Sequence, residues 1–281
     1  MGSDGTSGFS ALKGMISFFT LWHMDITQRE MDSMETRFHL VPVVGILFGI
    51  PLMLAMAGCV LLSREIFVDL GLLAAVLCLL IVYIGSKFIH FDGLTDFGDG
   101  MIVSGQREDH IRALKDTLVG AGGIGVALTV TLTTFAIYST WGPLTLLMLA
   151  PLTEVMVKNA MVFAASFGLP GKGMAGRQVS MTTPKSAAKG IAVSLLCGAL
   201  LAFLASLLYV WLTGAALEDM LLPIAVMLVA GIVVSAIVGL IMARNANRVF
   251  GMVNGDILGA TNEVCRPLVT LAMGIAFVLV I

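Results

Sequence analysis

The sequence predicts an all-α fold, a polytopic bundle of about seven transmembrane helices with its N-terminus in the cytoplasm. Of its 281 residues, 58% are hydrophobic and only 12% are charged, whereas about a quarter of the residues in a soluble domain are charged. The apolar residues fall into runs close to the roughly 20 residues that a helix needs to cross a bilayer. The basic residues are concentrated in alternate connections between these runs, as in many membrane proteins.

The N-terminal segment, residues 1–37, precedes the first long apolar run and is expected on the cytoplasmic side. Within it, residues 9–22 are largely apolar but too few to cross a bilayer, so they predict an interfacial helix. Residues 38–281 then form a single transmembrane catalytic domain.

Apolar runs of this second part predict the spans. They cover residues 38–62, 66–90, 118–138, 144–167, 187–213, 221–243 and 265–281. The connections 139–142 and 214–220 are short, while the longer ones all leave from the other side of the bilayer. One of these, 170–190, is rich in Gly, Lys, Ser and Thr, which predicts a mobile loop.

The distribution of positive charge predicts the orientation. Fourteen of the sixteen Lys and Arg residues lie in the N-terminal segment, on the longer connections or beside them; the exceptions are Arg64 and Lys158. Because positive loops stay in the cytoplasm, we expect a multi-pass protein of the plasma membrane with its active site facing the cytoplasm. The basic loops then indicate topology, and we expect the lipid bilayer and no nucleic acid as a partner. A homo-oligomer, most often a dimer among closed assemblies, is left open.

An acidic segment follows the second predicted span. Asp92, Asp96 and Asp99 are spaced i, i+4 and i+7, so in a helix they share one face. Three like charges repel one another and raise at least one pKa, and Mg²⁺, which prefers carboxylate oxygens, removes that conflict. The segment therefore predicts a magnesium site. The neighbouring glycine Gly93 is expected to leave space for a bulky ligand.

A second acidic segment precedes the last predicted span on the same side. Asp256 and Glu263 are seven residues apart, and we expect them to face the first segment, with Asp256 as a further metal ligand. Two cations are candidates for binding phosphate: Arg248 and Lys158, although Lys158 follows Glu154 by four residues and the two also suit a structural ion pair. Carboxylate-bound Mg²⁺ together with Arg or Lys is typical of phosphoryl transfer.

These segments resemble the cobalamin synthase family, the membrane adenosylcobinamide-GDP ribazoletransferases. The pattern H-x-D-G-L-x-D-x-x-D-G matches residues 90–100, G-D-x-L-G-A-x-x-E matches 255–263, and P-x-x-G matches 42–45. A further pattern, D-S-R-x-G-x-x-G, is matched in part by Asp116, Thr117, Gly120 and Gly123. Its arginine is Leu118 here, and Lys158 or Arg112 are the candidates to replace that positive charge.

The resemblance implies a transferase that joins adenosylcobinamide-GDP to α-ribazole or α-ribazole 5′-phosphate. GMP leaves, adenosylcobalamin or its 5′-phosphate forms, and Mg²⁺ is the cofactor. Together with the spacing of the carboxylates, the resemblance implies two sets of site residues. The catalytic residues are Asp96, Asp99 and Glu263, and of these Asp99 and Glu263 are the candidate bases. The metal ligands are Asp92, Asp96, Asp99 and Asp256. The expected substrate-binding residues are His90, Gly93, Asp116, Gly120, Lys158, Arg248, Gly255 and Gly259.

Two other functions are alternatives. CDP-alcohol phosphatidyltransferases carry D-x-x-D-G-x-x-A-R, whose start is matched at 96–100, but Val103 and Ser104 stand where Ala-Arg is expected. A carboxylate-lined cation transporter would place acids near the bilayer midplane of several spans. Here the acids cluster at the predicted cytoplasmic ends of the spans, which favours an enzyme that meets soluble substrates.

Overall fold

The computed structural model describes residues 7–281, and these fold into helices with no β-strand. The predicted all-α class is confirmed. The helices are α1 (Gly8–Phe19), α2 (Gln28–Thr36), α3 (Pro42–Ile66), α4 (Gly71–Gly85), α5 (Ile89–Ile102), α6 (Arg107–Leu114), α7 (Ala121–Phe167), α8 (Gly173–Met181), α9 (Pro184–Thr213), α10 (Leu221–Val249) and α11 (Gly255–Val278). Short 3₁₀ turns at Phe38–Leu40 and Glu218–Met220 precede α3 and α10.

When helices are judged by length and composition, fewer of them qualify as membrane spans than the seven predicted. Within residues 7–281, four helical segments are long and apolar enough to cross a membrane, and the bent pair of α4 and α5 makes up to five. Residues 121–138 of the predicted span 118–138 and all of the predicted span 144–167 fall within α7, which is broken at Gly142, where φ is +66°. Most of the last predicted span, 265–281, lies in α11, which carries the charged residues Glu263 and Arg266 and is not one of these segments. The count of seven stays a prediction.

The predicted span 66–90 is wrong as a single continuous helix. Helix α4 has only 15 residues, fewer than the roughly 20 that cross a bilayer, and the chain then bends by 91° into α5. Lys87 and Phe88 make the turn with φ of 57° each, a region that residues with a side chain rarely adopt. The turn contains no proline, so the continuous apolar run gave no reason to predict a break there. The acidic segment consequently begins a helix of its own.

The second half of α7 forms the centre of the molecule. From Leu146 to Ser166 its residues are buried, and it packs against α3, α9, α10 and α11. Gly45 allows α3 to approach closely, since a Cβ atom there would lie 2.7 Å from the carbonyl oxygen of Glu154. Such contacts through small residues are common between membrane helices. Exposed leucines such as Leu54 and Leu200 cover the outer faces, as a lipid-facing surface requires.

The described part of the N-terminal segment contains α1 and α2, and α1 packs against α2, α3 and His90 of α5. Helix α1 overlaps the predicted interfacial segment 9–22, and its residues Met15 and Phe19 are buried. It is tied to the turn between α4 and α5, because the Leu21 N–H donates to the Gly85 carbonyl at 2.9 Å and the Lys87 ammonium donates to the Ser17 carbonyl at 3.2 Å.

The stretch 170–190 is not the loop that its composition predicts. It contains α8 and the first turns of α9, and Gly173, with φ of +80°, makes the left-handed turn from which α8 starts. An ion pair of 2.9 Å between Arg177 on α8 and Glu35 on α2 joins the two helices. The glycines reflect this turn and the close packing of α8, and the lysines, Lys172, Lys185 and Lys189, are exposed just before α8 and in the first turns of α9.

Candidate active site

The two acidic segments come together in the structure. Asp92, Asp96 and Asp99 lie along α5, beyond the predicted span 66–90, with Asp92 exposed and the other two half-buried. Burial and then the charges of Asp256, Asp92 and Asp99 raise the pKa of Asp96 to about 6. Burial likewise raises the pKa of Asp256, and the charge of Asp92 adds to this. The first turn of α11 therefore presents its carboxylate to the acidic face of α5.

Glycines set the distance between α5 and α11. A Cβ atom at Gly93 would lie 2.7 Å from the carbonyl oxygen of Asp256, and one at Gly259 would lie 3.2 Å from the Cα of His90. Both positions are therefore close helix–helix contacts, and the one at Gly93 leaves no room for a side chain. The expected free space for a ligand beside Gly93 is filled by α11, and that expectation is wrong.

Asp99 links α5 to the start of α7. Its carboxylate accepts hydrogen bonds from the N–H groups of Gly120 and Gly123, each 2.7 Å long. A carboxylate at this position satisfies backbone donors that a helix leaves free and faces the positive end of the helix dipole. Asp116 lies just before this turn, exposed, and accepts from the Leu118 N–H at 3.0 Å. The partly matched segment 116–123 is thus the N-terminal turn that Asp99 holds.

Lys158 and Glu263 belong to a buried ion network at the centre of the bundle. Lys158 pairs with Glu154 at 3.0 Å, and the Arg266 guanidinium contacts both Glu154 and Glu263, the latter at 3.1 Å. All four side chains are at most 1% exposed. Of the two alternatives left open for Lys158 and Glu154, the geometry favours the ion pair.

The remaining predicted cations lie at the surface. Arg248 is exposed at the end of α10, and its carbonyl accepts from Arg107 at 3.5 Å. Arg112 is exposed and paired with Asp109. Leu118 is 79% exposed. A cation that the sequence did not single out, Lys115, is close enough to lower the pKa of Asp256 against the dominant effect of burial.

A cavity of about 150 Å³ opens beside Asp92 and Asp256. Five helices line it: α1, α5, α8 and α11, with Met161 of α7 as a further wall residue. Its walls are formed by Phe18, Phe19, Ile89, His90, Asp92, Met161, Met174, Ala175, Gln178, Gly255, Asp256, Leu258 and Gly259. The predicted residues His90, Gly255 and Gly259 are among them. The contribution of α1 and α8 could not be predicted, because neither segment carries a motif.

Two buried polar side chains of this cavity have unsatisfied nitrogens. His90 is 2% exposed and Gln178 is 4% exposed, and the Nε2 atom of each has no hydrogen-bond partner among residues 7–281. The His90 ring stacks on Phe19, with centroids 5.6 Å apart and planes inclined by 25°. Since buried polar groups are nearly always paired, these two nitrogens are groups that a ligand could satisfy.

Comparison with known proteins decides the family. The family model described as Cobalamin-5-phosphate synthase matches residues 11–274. The chain belongs to this family. The matched region contains both acidic segments and the P-x-x-G element, so the resemblance drawn from these motifs is confirmed.

Relatives of this cobalamin-5-phosphate synthase family member match it over nearly its whole length. Three of them are named adenosylcobinamide-GDP ribazoletransferase. That of Methanocella arvoryzae is 30% identical over 92% of each chain. That of Methanosarcina barkeri is 27% identical over 91% of this chain and 88% of its own, and that of Methanococcoides burtonii is 26% identical over 96% and 94%. No solved structure matches the chain.

The family member's acidic face suits magnesium in its donor chemistry. Within residues 7–281, no three His, Cys, Asp or Glu side chains converge into a preformed metal site. Mg²⁺, however, is commonly held by one or two carboxylates together with substrate phosphates. Asp92, Asp96 and Asp256 offer oxygen ligands whose mutual repulsion a divalent cation would relieve. These residues therefore fit the ion that the family resemblance implies.

Proposed function

We propose that this chain is a membrane-embedded adenosylcobinamide-GDP ribazoletransferase. It joins adenosylcobinamide-GDP to α-ribazole or α-ribazole 5′-phosphate, giving adenosylcobalamin or its 5′-phosphate and GMP. The observation that carries the proposal is the meeting of α5 and α11, which places Asp92 and Asp256 in the wall of a ligand-sized cavity, with Asp96 and Asp99 on the same helix as Asp92. The chain that carries this site matches the family over residues 11–274.

The reaction is the transfer of a phosphoryl group. A ribose hydroxyl of the acceptor attacks the phosphorus attached to cobinamide, a new P–O bond forms, and the P–O bond to the GMP leaving group breaks. A carboxylate of the acidic face accepts the hydroxyl proton. Of the two candidate bases, Asp99 lies on this face, whereas Glu263 is 1% exposed and paired with Arg266. The geometry thus favours Asp99 over Glu263.

The same face supplies the binding sites for charge. Asp92, Asp96 and Asp256 are proposed to hold Mg²⁺ together with oxygens of the diphosphate. When bound, the ion would stabilise the negative charge that develops on GMP as it leaves. Lys115 is exposed near Asp256 and is available to meet the remaining negative charge of the diphosphate. Arg248 remains a proposed phosphate-binding residue. It is exposed at the end of α10, so it would bind a phosphate that extends out of the site towards it.

The proposed location is the plasma membrane, with the acidic face towards the cytoplasm. The positive charge on the connections beside this face supports that orientation. Helix α6 and the turns flanking it carry Arg107, Arg112 and Lys115, and they follow α5 directly. Soluble nucleotide substrates would then reach the carboxylates without crossing the bilayer.

A GMP-release assay on the purified protein tests the proposal. With adenosylcobinamide-GDP, α-ribazole and Mg²⁺ we expect one GMP for each cobamide formed, and no GMP when α-ribazole is omitted or excess EDTA is present. GMP release that needs no acceptor would indicate a hydrolase and overturn the proposal. Uptake of Mg²⁺ into liposomes without any GMP release would favour the transporter alternative.

A further inference from the structure

We infer that the cavity between α1, α5, α8 and α11 binds the aromatic base of the nucleoside acceptor, and that Gln178 recognises this base by a hydrogen bond. The inference deepens the proposed function and rests on it. It assigns a binding role to two segments, the N-terminal helix and α8, that carry none of the family motifs.

The size of the cavity selects the part of the substrates that can enter. Its volume is about 150 Å³, and an apolar cavity of about this volume holds a benzene molecule. A single planar ring system therefore fits, with its sugar left at the open end. The corrin macrocycle of the other substrate is far too large to enter.

The walls of the cavity distinguish the acceptor base from the polar purines of adenosylcobinamide-GDP, which are guanine and the adenine of its adenosyl group. Phe18, Met161, Met174 and Leu258 are apolar, and the stacked rings of Phe19 and His90 make a flat wall against which an aromatic ring can pack. Guanine carries several donors and acceptors around its edge. Most of them would lose their hydrogen bonds to water here without replacement, which is unfavourable. The cavity thus suits a base with few polar groups on its edge.

Gln178 supplies the specific polar contact. Its side chain is 4% exposed, and its amide nitrogen has no partner within the described part of the chain, so it is a donor in search of an acceptor. A heteroaromatic base with one unsubstituted ring nitrogen offers such an acceptor in the plane of the ring. The His90 side chain also lines this cavity, and its Nε2 atom likewise has no partner among the described residues.

The position of the cavity orients the acceptor for reaction. Asp92 and Asp256 also line it, so a base held against Gln178 leaves its ribose near these carboxylates. The attacking hydroxyl then lies beside the acidic face without any movement of α5 or α11. The ion pair between Arg177 and Glu35 keeps α8, and with it Gln178, over the cavity.

Steady-state kinetics of Gln178→Leu separate the two substrates. We expect the KM for α-ribazole to rise about tenfold, the value of one lost hydrogen bond, while the KM for adenosylcobinamide-GDP stays unchanged. Gln28→Leu, the same replacement at an exposed position of α2, should change neither value. If the leucine variant does not fold, Gln178→Glu, which keeps the size but loses the amide donor, should give the same selective rise.

Calorimetric binding of α-ribazole to the protein without the donor substrate gives a readout independent of turnover. Wild type and Gln28→Leu should bind equally, and Gln178→Leu and Phe19→Ala more weakly. A rise in the KM for adenosylcobinamide-GDP alone would place part of the donor substrate in the cavity and overturn the inference, as would unchanged binding of α-ribazole by Gln178→Leu. Absence of GMP release by the wild type would refute the proposed function, whereas selective loss of α-ribazole binding in Gln178→Leu would still support the base site.

Discussion

At the scale of single residues, the three aspartates of α5 are in different situations. Burial, and then the like charges around it, raise the pKa of Asp96 to about 6, so in the absence of a cation its ionised form destabilises the protein. Asp99 instead accepts two short hydrogen bonds from the first turn of α7. Although the two aspartates belong to one regularly spaced series, Asp96 would be stabilised by a bound cation, whereas Asp99 already stabilises the fold.

The two positions should respond oppositely to the same substitution. Asp99→Asn turns an amide group towards two backbone N–H donors, and we expect it to lower the free energy of unfolding by about 1–3 kcal/mol. Asp96→Asn removes a repelled charge and should leave that free energy unchanged or raise it. Unfolding in detergent without divalent ions measures both, and equal destabilisation by the two variants would contradict this distinction.

The sequence could predict the acidic residues but not the side chains opposite them. The spacing of Asp92, Asp96 and Asp99 carries helical periodicity, and the clustering of charge in an apolar chain is unusual enough to indicate a site. Gln178 and Phe19 have no such signal, because an isolated glutamine or phenylalanine occurs in many surroundings. Their role depends on the packing of α1 and α8 beside α5, which is about 70 residues from each in sequence, and local patterns do not contain such contacts.

At the scale of helices, the approach of α5 to α11 positions the site, and Gly93 is its tightest point. Gly93→Ala would place a Cβ atom 2.7 Å from the carbonyl oxygen of Asp256, so the helices must separate and Asp256 must move away from α5. We expect loss of stability and of GMP release together. Gly125→Ala is the matched control, since a Cβ atom there has no neighbour within 4 Å.

Unfolding and activity of the two alanine variants measure this effect. Replacing a helical glycine with alanine where there is room should be neutral or stabilising by about 0.5–1 kcal/mol, so Gly125→Ala should be at least as stable as the wild type. Full activity and stability of Gly93→Ala would show that the two helices do not need this contact.

The ion network joins α7 to α11 behind the acidic face. Arg266→Met leaves Glu154 and Glu263 with a single cation, Lys158, in a fully buried setting, and breaking a buried network in this way costs about 3–5 kcal/mol. Arg112→Met breaks only the exposed pair with Asp109, which contributes at most about 1 kcal/mol. Similar unfolding midpoints of the two variants would contradict a structural role for the network.

Some helices were predictable and others were not, for physical reasons. The apolar runs that became α3, α9 and α10 are long and uninterrupted, and their ends lie within a few residues of the prediction. The bend between α4 and α5 was missed because Lys87 and Phe88, rather than Pro, form it. Helix α8 was missed because its glycines suggested a loop.

At the scale of the whole molecule, the segregation of charge predicts which end of the bundle faces the cytoplasm. Single cysteines introduced as Ser104→Cys, after α5, and Ala216→Cys, between α9 and α10, should lie on opposite sides of the membrane. The four native cysteines are buried and should not react with an impermeant thiol reagent. We expect Ser104→Cys to be labelled only in inverted vesicles and Ala216→Cys only in intact cells; the reverse pattern would overturn the orientation.

The central claim is that the contact of α5 with α11 forms the reaction centre of a ribazoletransferase. The most direct measurement is GMP release from adenosylcobinamide-GDP, with α-ribazole and Mg²⁺, by wild type, Asp256→Asn and Asp219→Asn. Asp219 is an exposed acid before α10 and serves as the control. We expect Asp256→Asn to lose at least about 100-fold in rate and Asp219→Asn to match the wild type. Full GMP release by Asp256→Asn would contradict the claim.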